Sequence, residues 1–311
     1  MANLNFQQLY QTLLESIRSS QAPDCETANG TPELMLRKLW YQAANINAPE
    51  DQMFAQRLPV LDRDSIEGLR GRVEQVVRGV PLAHVLARYT FLGVDVVCHP
   101  DSVIPQPEAN IVGQAAIAAV INLARIRGEV TALDLNCGCG AIPLAMAYYE
   151  PLVQIFGLNR SEDELMFASY NASRLGVCAQ AHFLSGDVRR LPDVEGFPQK
   201  FDVITSISPD LLSKSKNKTN NRIERFYSRP EEDESRMAYL AYLIKRAQLL
   251  LKPNSFLIFT VPPSQVNDAR AELRLNPFFS QQVEILTDMN GERRVMKARA
   301  VRAGCGAAVY G

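Results

Sequence analysis

Apolar residues recur at helical spacing in three stretches near the start of the chain. The first stretch is 5–20, and the stretches 32–46 and 63–78 repeat the pattern. Apolar positions three and four residues apart line one face of an α-helix, and that face packs against other helices. The pattern therefore predicts a small helical domain over residues 1–88. Farther on, apolar residues alternate with polar or small ones, which predicts a β-hairpin linker over residues 89–108.

From residue 109 onward the chain alternates between helical and strand patterns. The predicted strands are 130–135, 152–158, 179–184, 201–206 and 255–261, with a closing pair at 281–286 and 293–302. Alternation of this kind builds a mostly parallel sheet with helices on both faces. We therefore predict an α/β, Rossmann-like domain over residues 109–311 with a seven-stranded sheet. Ligands of such sheets bind at the carboxyl ends of the strands.

Composition and charge narrow the class of protein. The chain has 311 residues, of which 47% are hydrophobic, and its 33 Lys and Arg nearly balance its 34 Asp and Glu for a net charge of -1. Such a small charge gives no bulk attraction to nucleic acid or to an anionic membrane, so we expect neither as a partner. The sequence has no run of roughly 18 uninterrupted apolar residues and no signal-peptide pattern at its start, so we expect a cytoplasmic location. The oligomeric state is not predicted.

The cysteines and one charged segment each allow more than one structural interpretation. Six cysteines are scattered along the chain apart from the pair Cys137 and Cys139, and the three histidines are dispersed. No second pair stands at metal-ligand spacing, so we interpret the cysteines as small apolar fillers and expect no metal. Residues 213–235 are charged and poor in apolar residues. They are either a solvated connector, which is the favoured reading, or a lid that closes over a ligand.

A glycine-rich turn follows the first predicted strand of the α/β domain. Asp134 lies near the end of that strand, and Asn136, Gly138 and Gly140 lead directly into an apolar helix. Glycine lets backbone approach a ligand where a Cβ would collide, and the first amides of a helix face the ligand with the positive end of the helix dipole. The spacing Asp-x-x-x-Gly-x-Gly differs from the dinucleotide-binding pattern. The turn predicts a nucleotide site, with an ordinary strand-to-helix turn as the alternative.

Polar residues also follow the next two predicted strands. Asn159 stands where ribose-binding folds usually carry a carboxylate, and its amide can accept one hydrogen bond and donate one. Asp187, followed by Val188, comes after the next strand, where a carboxylate can accept from an exocyclic amine such as that of adenine. The alternative role of Asp187 is to cap a turn. Three polar positions at successive strand ends predict one shared nucleoside site.

Together with these positions, several further segments resemble the class I S-adenosylmethionine-dependent methyltransferases, and in particular the protein-glutamine methyltransferases that modify peptide chain release factors. The segments are RGVPLAHVL at 78–86, FLG at 91–93, VIPQPE at 103–108, FASYNA at 167–172, LLKP at 250–253, and Asp288, Gly291, Arg294 and Val295. The resemblance covers about residues 60–300. It implies the class I methyltransferase fold, S-adenosylmethionine in the glycine turn, and a helical N-terminal domain where that family recognises its substrate.

The chain departs from that family where the acceptor would bind. The family ends its fourth strand with Asn-Pro-Pro-Tyr, which clamps a planar amide nitrogen, whereas this chain has ISPD at 207–210. The side chain of Ile207 cannot hydrogen-bond an amide, and an unpaired buried substrate NH₂ would cost about 1–3 kcal/mol. We therefore do not expect glutamine methylation of release factors. Other positions that differ from the family are Gln106, Ala109, Asn110, Asn136 and Asn159.

Two reactions remain for an enzyme that keeps the cofactor turn without the amide clamp. One is methyl transfer to a small molecule. The other is ring closure of S-adenosylmethionine itself to azetidine-2-carboxylate, with methylthioadenosine as the leaving group. A non-catalytic methyltransferase-like binding protein is the alternative to both.

The predicted reaction-site residues lie at the end of the fourth strand. The hydroxyls of Ser206 and Ser208 can hold a nucleophile, and Asp210 can act as its general base. Tyr89 or Tyr170 can supply an aromatic contact to the sulfonium. The alternative roles are capping of the strand for the first three residues and core packing for the tyrosines.

Overall fold

The chain folds into two compact units, residues 1–88 and 89–311. A computed structural model describes residues 6–20, 30–48, 50–99, 102, 104–105, 107–208, 236–287 and 291–301. The segment 213–235, predicted to be either a solvated connector or a lid, lies outside the described residues.

The first unit is helical, as predicted. Its helices are α1 (Phe6–Ser19), α2 (Pro32–Ala43), α3 (Glu50–Ala55), α4 (Arg63–Val77) and α5 (Leu82–Leu86). Asp62 caps α4, where its Oδ1 accepts from the backbone N of Ser65 at 2.8 Å. Trp40 is fully buried in the core of this unit, and its indole Nε1 donates to the carbonyl oxygen of Pro59 at 2.9 Å. The sequence pattern missed α3 and α5 because helices of six and five residues are too short to show a period.

A hairpin and a long helix open the rest of the chain. Strands β1 (Arg88–Phe91) and β2 (Val94–Val97) are joined by Leu92 and Gly93, both with positive φ, as in the two-residue turns that match strand twist. The turn of this hairpin packs against Gly113 of helix α6 (Pro107–Arg127). A Cβ at that position would lie only 2.7 Å from Leu92 Cδ1.

The second unit contains the predicted seven-stranded, mostly parallel sheet. The strands are β3 (Val130–Leu135), β4 (Val153–Asn159), β5 (Ala181–Ser185), β6 (Phe201–Ser206), β7 (Leu251–Thr260), β8 (Glu284–Thr287) and β9 (Arg293–Arg299). Their order is β5-β4-β3-β6-β7-β9-β8, and β9 is antiparallel to both of its neighbours. The fold class predicted from the sequence is confirmed.

Helices cover both faces of this sheet. The remaining helices are α7 (Ala141–Tyr149), α8 (Glu162–Leu175), α9 (Arg236–Leu250), a 3₁₀ turn (Pro263–Gln265) and α10 (Val266–Leu275). Helices α6 and α7 pack on one core with Val130 and Ala132 of β3, whereas α9 and α10 pack on the other with Leu133 and Leu135. Strand residues alternate between the two cores because successive side chains point to opposite faces.

Helix α6 is the one described helix that is long and apolar enough, by length and composition alone, to cross a membrane, over Glu108–Arg127. Its apolar residues, among them Val112, Ala116 and Val120, are instead buried in the first core. Packing on the sheet accounts for the apolar composition of this helix.

A buried carboxylate ties together the amino end of the sheet. Asp202 of β6 is 1% exposed, and its Oδ2 accepts from Thr131 N at 2.9 Å and from Lys252 Nζ at 2.7 Å, while Arg127 pairs with Oδ1. Burial acts to raise the pKa of Asp202, but the bonds from Lys252 and Thr131 outweigh it and the pKa is lowered. The segment LLKP at 250–253 therefore has a structural role at the amino ends of the strands, whereas the glycine turn lies at their carboxyl ends.

Candidate functional site

The sheet changes direction between β3 and β6. The chain runs outward from β3 to β4 and β5, and it then returns to place β6 on the other side of β3. Leu135, the last residue of β3, pairs with both Leu158 and Ser206, and Asn159 pairs with Ser185. The turns after these strands therefore meet at one edge. In open α/β sheets this reversal point is where ligands bind.

The two glycines of the turn have different surroundings. Both have positive φ, at 54° for Gly138 and 89° for Gly140. A Cβ on Gly138 would make only an ordinary contact, with Glu164 Oε1 at 3.9 Å, so the backbone is uncrowded here. A Cβ on Gly140 would lie 3.0 Å from Leu144 Cδ1 and 3.1 Å from Phe183 Cζ. Gly138 therefore leaves room beside the turn, whereas Gly140 allows α7 to pack closely.

Asp134 lies beneath this turn and is 2% exposed. The hydroxyl of Thr205, on the neighbouring strand, donates to Asp134 Oδ1 at 2.5 Å. Burial raises the pKa of Asp134 to about 7, and the bond from Thr205 offsets only part of that rise. The carboxyl group is thus poised between its neutral and charged forms near neutral pH.

A chain of polar groups crosses from the glycine turn to the end of β6. Asn136, held at a φ of 66°, donates from Nδ2 to the hydroxyl of Tyr239 at 3.3 Å. That hydroxyl lies 2.7 Å from Ser206 Oγ, and either oxygen can be the donor. Burial raises the pKa of Tyr239 to about 12, so its phenol stays protonated at neutral pH. Tyr239 lies on α9 and was not predicted from the sequence.

The predicted Asn159 is buried at the end of β4. Its Nδ2 donates to Glu164 Oε2 at 2.5 Å, and its Oδ1 accepts from Arg160 N at 2.7 Å and from Ser161 N at 3.4 Å. Glu164 is 7% exposed and lies in the first turn of α8. The sequence reading missed Glu164, although its spacing from Ser161 is that of a helix-capping pair.

Asp187 serves the turn after β5. Its Oδ1 accepts from the backbone N of Arg189 at 2.8 Å and of Arg190 at 2.9 Å, which is the capping role considered as its alternative. Its Oδ2 lies 3.9 Å from Arg160 Nε. Val188 is buried in the second core. The role predicted for Asp187 and Val188 in binding adenine stays a prediction.

The two described residues that follow β6, Ile207 and Ser208, make contacts within the protein. Ile207 is partly buried and packs against the first core, and Ser208 is buried, with its backbone N donating to Thr260 Oγ1 at 2.7 Å. Asp210, the predicted general base, lies outside the described residues. Ser206 is therefore the predicted reaction-site residue whose hydroxyl joins the polar chain described above.

The two predicted tyrosines lie in different surroundings. Tyr89 is partly buried against the first core, and burial, followed by the proximity of Cys139, Cys98 and Glu164, raises its pKa well above the ordinary value. It therefore lies close to the glycine turn. Tyr170 is 55% exposed on α8, with the guanidinium carbon of Arg174 6.0 Å from the centre of its ring. Its contact with the sulfonium stays a prediction.

The cysteines around the turn are buried thiols. Burial raises the pKa of Cys98 to about 12 and that of Cys139 to about 11, so both are neutral at physiological pH. Asn171 holds the hairpin next to them, since its Nδ2 donates to the carbonyl oxygens of Val97 at 2.7 Å and of Cys139 at 3.2 Å. Within the described ranges, no group of three or more His, Cys, Asp or Glu is arranged to hold a metal ion.

A family model described as a methyltransferase domain matches residues 126–292, which is 167 of the 311 residues. The chain belongs to this methyltransferase domain family. The matched range contains the glycine turn, Asn159, Glu164, Ser206 and Tyr239. The methyltransferase uses S-adenosylmethionine as its cosubstrate, which confirms the cofactor prediction.

Curated relatives carry the name release factor glutamine methyltransferase. The protein from Bacillus subtilis (strain 168) is 25% identical over 76% of this chain and 82% of its own length. The one from Salmonella typhimurium (strain LT2) is 28% identical over 71% of this chain and 76% of its own length. Among solved structures, a methyltransferase from Pyrococcus furiosus has a TM-score of 0.46 and 16% identity, covering 67% of this chain and 89% of its own.

The residues at the sheet edge fit S-adenosylmethionine. The backbone at Gly138 is uncrowded, as close approach of a ligand requires, and α7 begins immediately after the turn, so that its first amides face the same edge. Glu164 lies beside Gly138, and Asn136 and Ser206 supply further polar side chains at the same edge of the sheet. When bound, the cosubstrate supplies an electrophilic methyl group on a sulfonium, and the protein supplies its position.

Proposed function

We propose that this methyltransferase transfers the methyl group to a small molecule and not to the glutamine of a release factor. The observation that carries the proposal is that Ile207 packs its apolar side chain against the first core. By the sequence resemblance, this is the position at which the release-factor enzymes have the asparagine of their amide clamp. A carboxamide acceptor would leave its NH₂ unpaired beside this side chain, at a cost of about 1–3 kcal/mol.

Hydroxyl groups border the site instead of an amide clamp. Ser206 Oγ and the Tyr239 hydroxyl lie 2.7 Å apart, and Asn136 donates to the same phenol. A hydroxyl has one donor and two accepting lone pairs, so the pair keeps hydrogen-bonding positions beyond its own bond and the bond from Asn136, and these can orient an acceptor that carries its own hydroxyl or amine. Fixing the nucleophile in line with the methyl group is the main contribution that methyl transfer needs from the protein.

The test is to incubate the full chain with S-adenosylmethionine labelled on its methyl group. One reaction receives a release factor with its glutamine loop, a second receives the low-molecular-weight fraction of a cell extract, and a third receives no acceptor. We expect label in compounds of the second reaction, together with S-adenosylhomocysteine. Labelled release-factor glutamine would overturn the proposal.

The reaction without an acceptor distinguishes methyl transfer from the two alternative hypotheses, cyclisation and non-catalytic binding. Formation of methylthioadenosine in that reaction would mean that the enzyme cyclises S-adenosylmethionine to azetidine-2-carboxylate and does not transfer its methyl group. Tight binding of S-adenosylmethionine without any product in the three reactions would instead mean a non-catalytic binding protein. Either outcome contradicts the proposal.

Two tyrosines on α9 provide a matched pair of variants. Tyr239→Phe removes the hydroxyl bonded to Ser206, whereas Tyr242→Phe removes a hydroxyl from a residue that is 39% exposed and lies against Arg246. We expect Tyr239→Phe to lower kcat about 10-fold or more with S-adenosylmethionine binding largely kept, and Tyr242→Phe to behave as the wild type. Equal activity of the two variants would remove Tyr239 from the reaction site.

A further inference from the structure

The residue at the usual ribose-binding position is fully engaged with the protein. Both accepting positions of Asn159 Oδ1 are taken by the backbone N of Arg160 and of Ser161, at 2.7 and 3.4 Å, and its Nδ2 donates to Glu164. An amide oxygen has two lone pairs. The side chain of Asn159 therefore has no acceptor left for a ribose hydroxyl.

A carboxylate lies next to it, five residues farther along the chain. Glu164 is 7% exposed, and its Oε2 lies 2.5 Å from Asn159 Nδ2. Its other oxygen, Oε1, is the nearest atom that a Cβ on Gly138 would meet, at 3.9 Å. The carboxylate thus lies beside the uncrowded backbone at Gly138, between the glycine turn and the end of β4.

We propose that Glu164 is the ribose-binding carboxylate of this protein and accepts hydrogen bonds from the two ribose hydroxyls of S-adenosylmethionine, with Asn159 orienting it. The inference rests on the proposed methyltransferase function and deepens it. Asn159 and Glu164 together replace the single acidic residue that ribose-binding folds usually carry at the end of this strand.

Helix capping is the competing role for Glu164. The spacing Ser161-x-x-Glu164 matches a capping box, and Ser161 Oγ accepts from Glu164 N at 3.4 Å. In a complete capping box the glutamate side chain would accept from the backbone N of Ser161. Here that N donates to Asn159 Oδ1. Asn159 thus serves the reciprocal half of the cap, and the Glu164 carboxylate contacts Asn159 beside Gly138.

Glu164 lies close to groups of both the hairpin and the glycine turn. It lies in the first turn of α8, where the helix dipole stabilises negative charge. Its charge adds to burial in raising the pKa of Tyr89 and of Cys137, so it acts on groups on both the hairpin and the glycine turn. Hydrogen bonds offset the cost of burying a carboxylate; Asn159 Nδ2 donates one to Glu164, and two ribose hydroxyls would add to it.

The test compares Glu164→Gln with Glu162→Gln, which removes one negative charge from the same helix turn at an exposed position. Calorimetry measures the affinity of each variant for S-adenosylhomocysteine and for its 2′,3′-dideoxy analogue. We expect Glu164→Gln to weaken binding of S-adenosylhomocysteine about 10- to 100-fold and to abolish its preference over the analogue. Glu162→Gln should keep both the affinity and the preference. A folded Glu164→Gln variant that keeps the wild-type preference overturns the proposal.

A reciprocal variant decides the matter if Glu164→Gln does not fold. The double variant Asn159→Asp with Glu164→Gln exchanges the amide and the carboxylate while keeping their hydrogen bond. A folded double variant without the preference for S-adenosylhomocysteine over the analogue supports the proposal, because its carboxylate then stands at position 159, and one that keeps the wild-type preference overturns it. Wild-type protein that binds neither compound would overturn the proposed function itself, whereas loss of the Glu164 effect alone leaves that function standing.

Discussion

Replacing Gly140 by alanine tests how the glycine turn is built. The new Cβ would lie 3.0 Å from Leu144 Cδ1, 3.1 Å from Phe183 Cζ and 3.2 Å from Ala168 Cβ. Alanine at the observed φ of 89° costs about 1–2 kcal/mol in backbone strain, and relieving three close contacts adds about 1–3 kcal/mol. We therefore expect the free energy of unfolding to fall by about 2–5 kcal/mol.

Gly138→Ala is the matched control for this change. Its φ of 54° costs a similar strain, but its Cβ would meet no atom closer than 3.9 Å, so the loss should stay at about 1–2 kcal/mol. The new methyl group would stand on the uncrowded backbone that a ligand would approach. Gly138→Ala should therefore weaken S-adenosylhomocysteine binding more than it weakens the fold.

Urea unfolding followed by far-ultraviolet circular dichroism measures both variants. Fluorescence is less suitable because Trp40, the single tryptophan, belongs to the first unit. Each 1 kcal/mol corresponds to about 2–4 °C in Tm for a domain of this size, so thermal scans provide a second reading. Equal destabilisation by the two variants would refute the argument that crowding requires glycine at position 140.

Three further predictions concern buried polar groups. Asp202→Asn should lower the free energy of unfolding by about 2–4 kcal/mol in denaturant titrations, because Lys252 and Arg127 lose their charged acceptor. Since the pKa of Asp202 is lowered, the stability that its carboxylate contributes is present above its ordinary pKa of 3.8 and is lost as the pH falls through the lowered pKa. The variant should lack this pH dependence. Burial raises the pKa of Asp134 to about 7, so the stability that its neutral carboxyl group contributes is complete below its ordinary pKa of 3.8 and is lost as the pH rises through about 7. The gap in Tm between the wild type and Asp134→Asn should therefore narrow, or reverse in favour of the variant, at alkaline pH. Asn171→Ala removes the bonds to the hairpin and should speed amide hydrogen exchange at Val97; unchanged exchange would contradict the tie seen there.

The sequence pattern was sufficient for the elements and for the outline of the site. The apolar periods of 63–78 and 130–135 correspond to α4 and β3 within one residue at each end. Asn136 and Asn159 could be placed at one edge of the sheet because the carboxyl ends of neighbouring parallel strands coincide. These features follow from local periodicity and glycine spacing, which a single segment of chain carries by itself.

The relation to a methyltransferase family was also visible in short motifs. The structural roles of two of these motifs were not visible, because each of the two acts through a distant partner. Lys252 of the LLKP segment binds Asp202, 50 residues away, and Arg294 of the closing segment binds Glu108, 186 residues away, at 2.6 Å. Both contacts stabilise the fold and lie outside the set of residues proposed to bind the cosubstrate.

What completes the candidate site was decided by tertiary structure. Tyr239 meets Asn136 across 103 residues and Ser206 across 33, and no periodic pattern within α9 distinguishes that tyrosine from Tyr242 on the same helix. Glu164 is close to Asn159 in sequence, but only folding shows that its carboxylate borders Gly138 and not solvent. A sequence determines by itself which faces are apolar and where the backbone can turn tightly. Which polar groups meet depends on the packing of helices and strands that are far apart in the chain, because hydrogen bonds form only between atoms that the fold brings within about 3 Å.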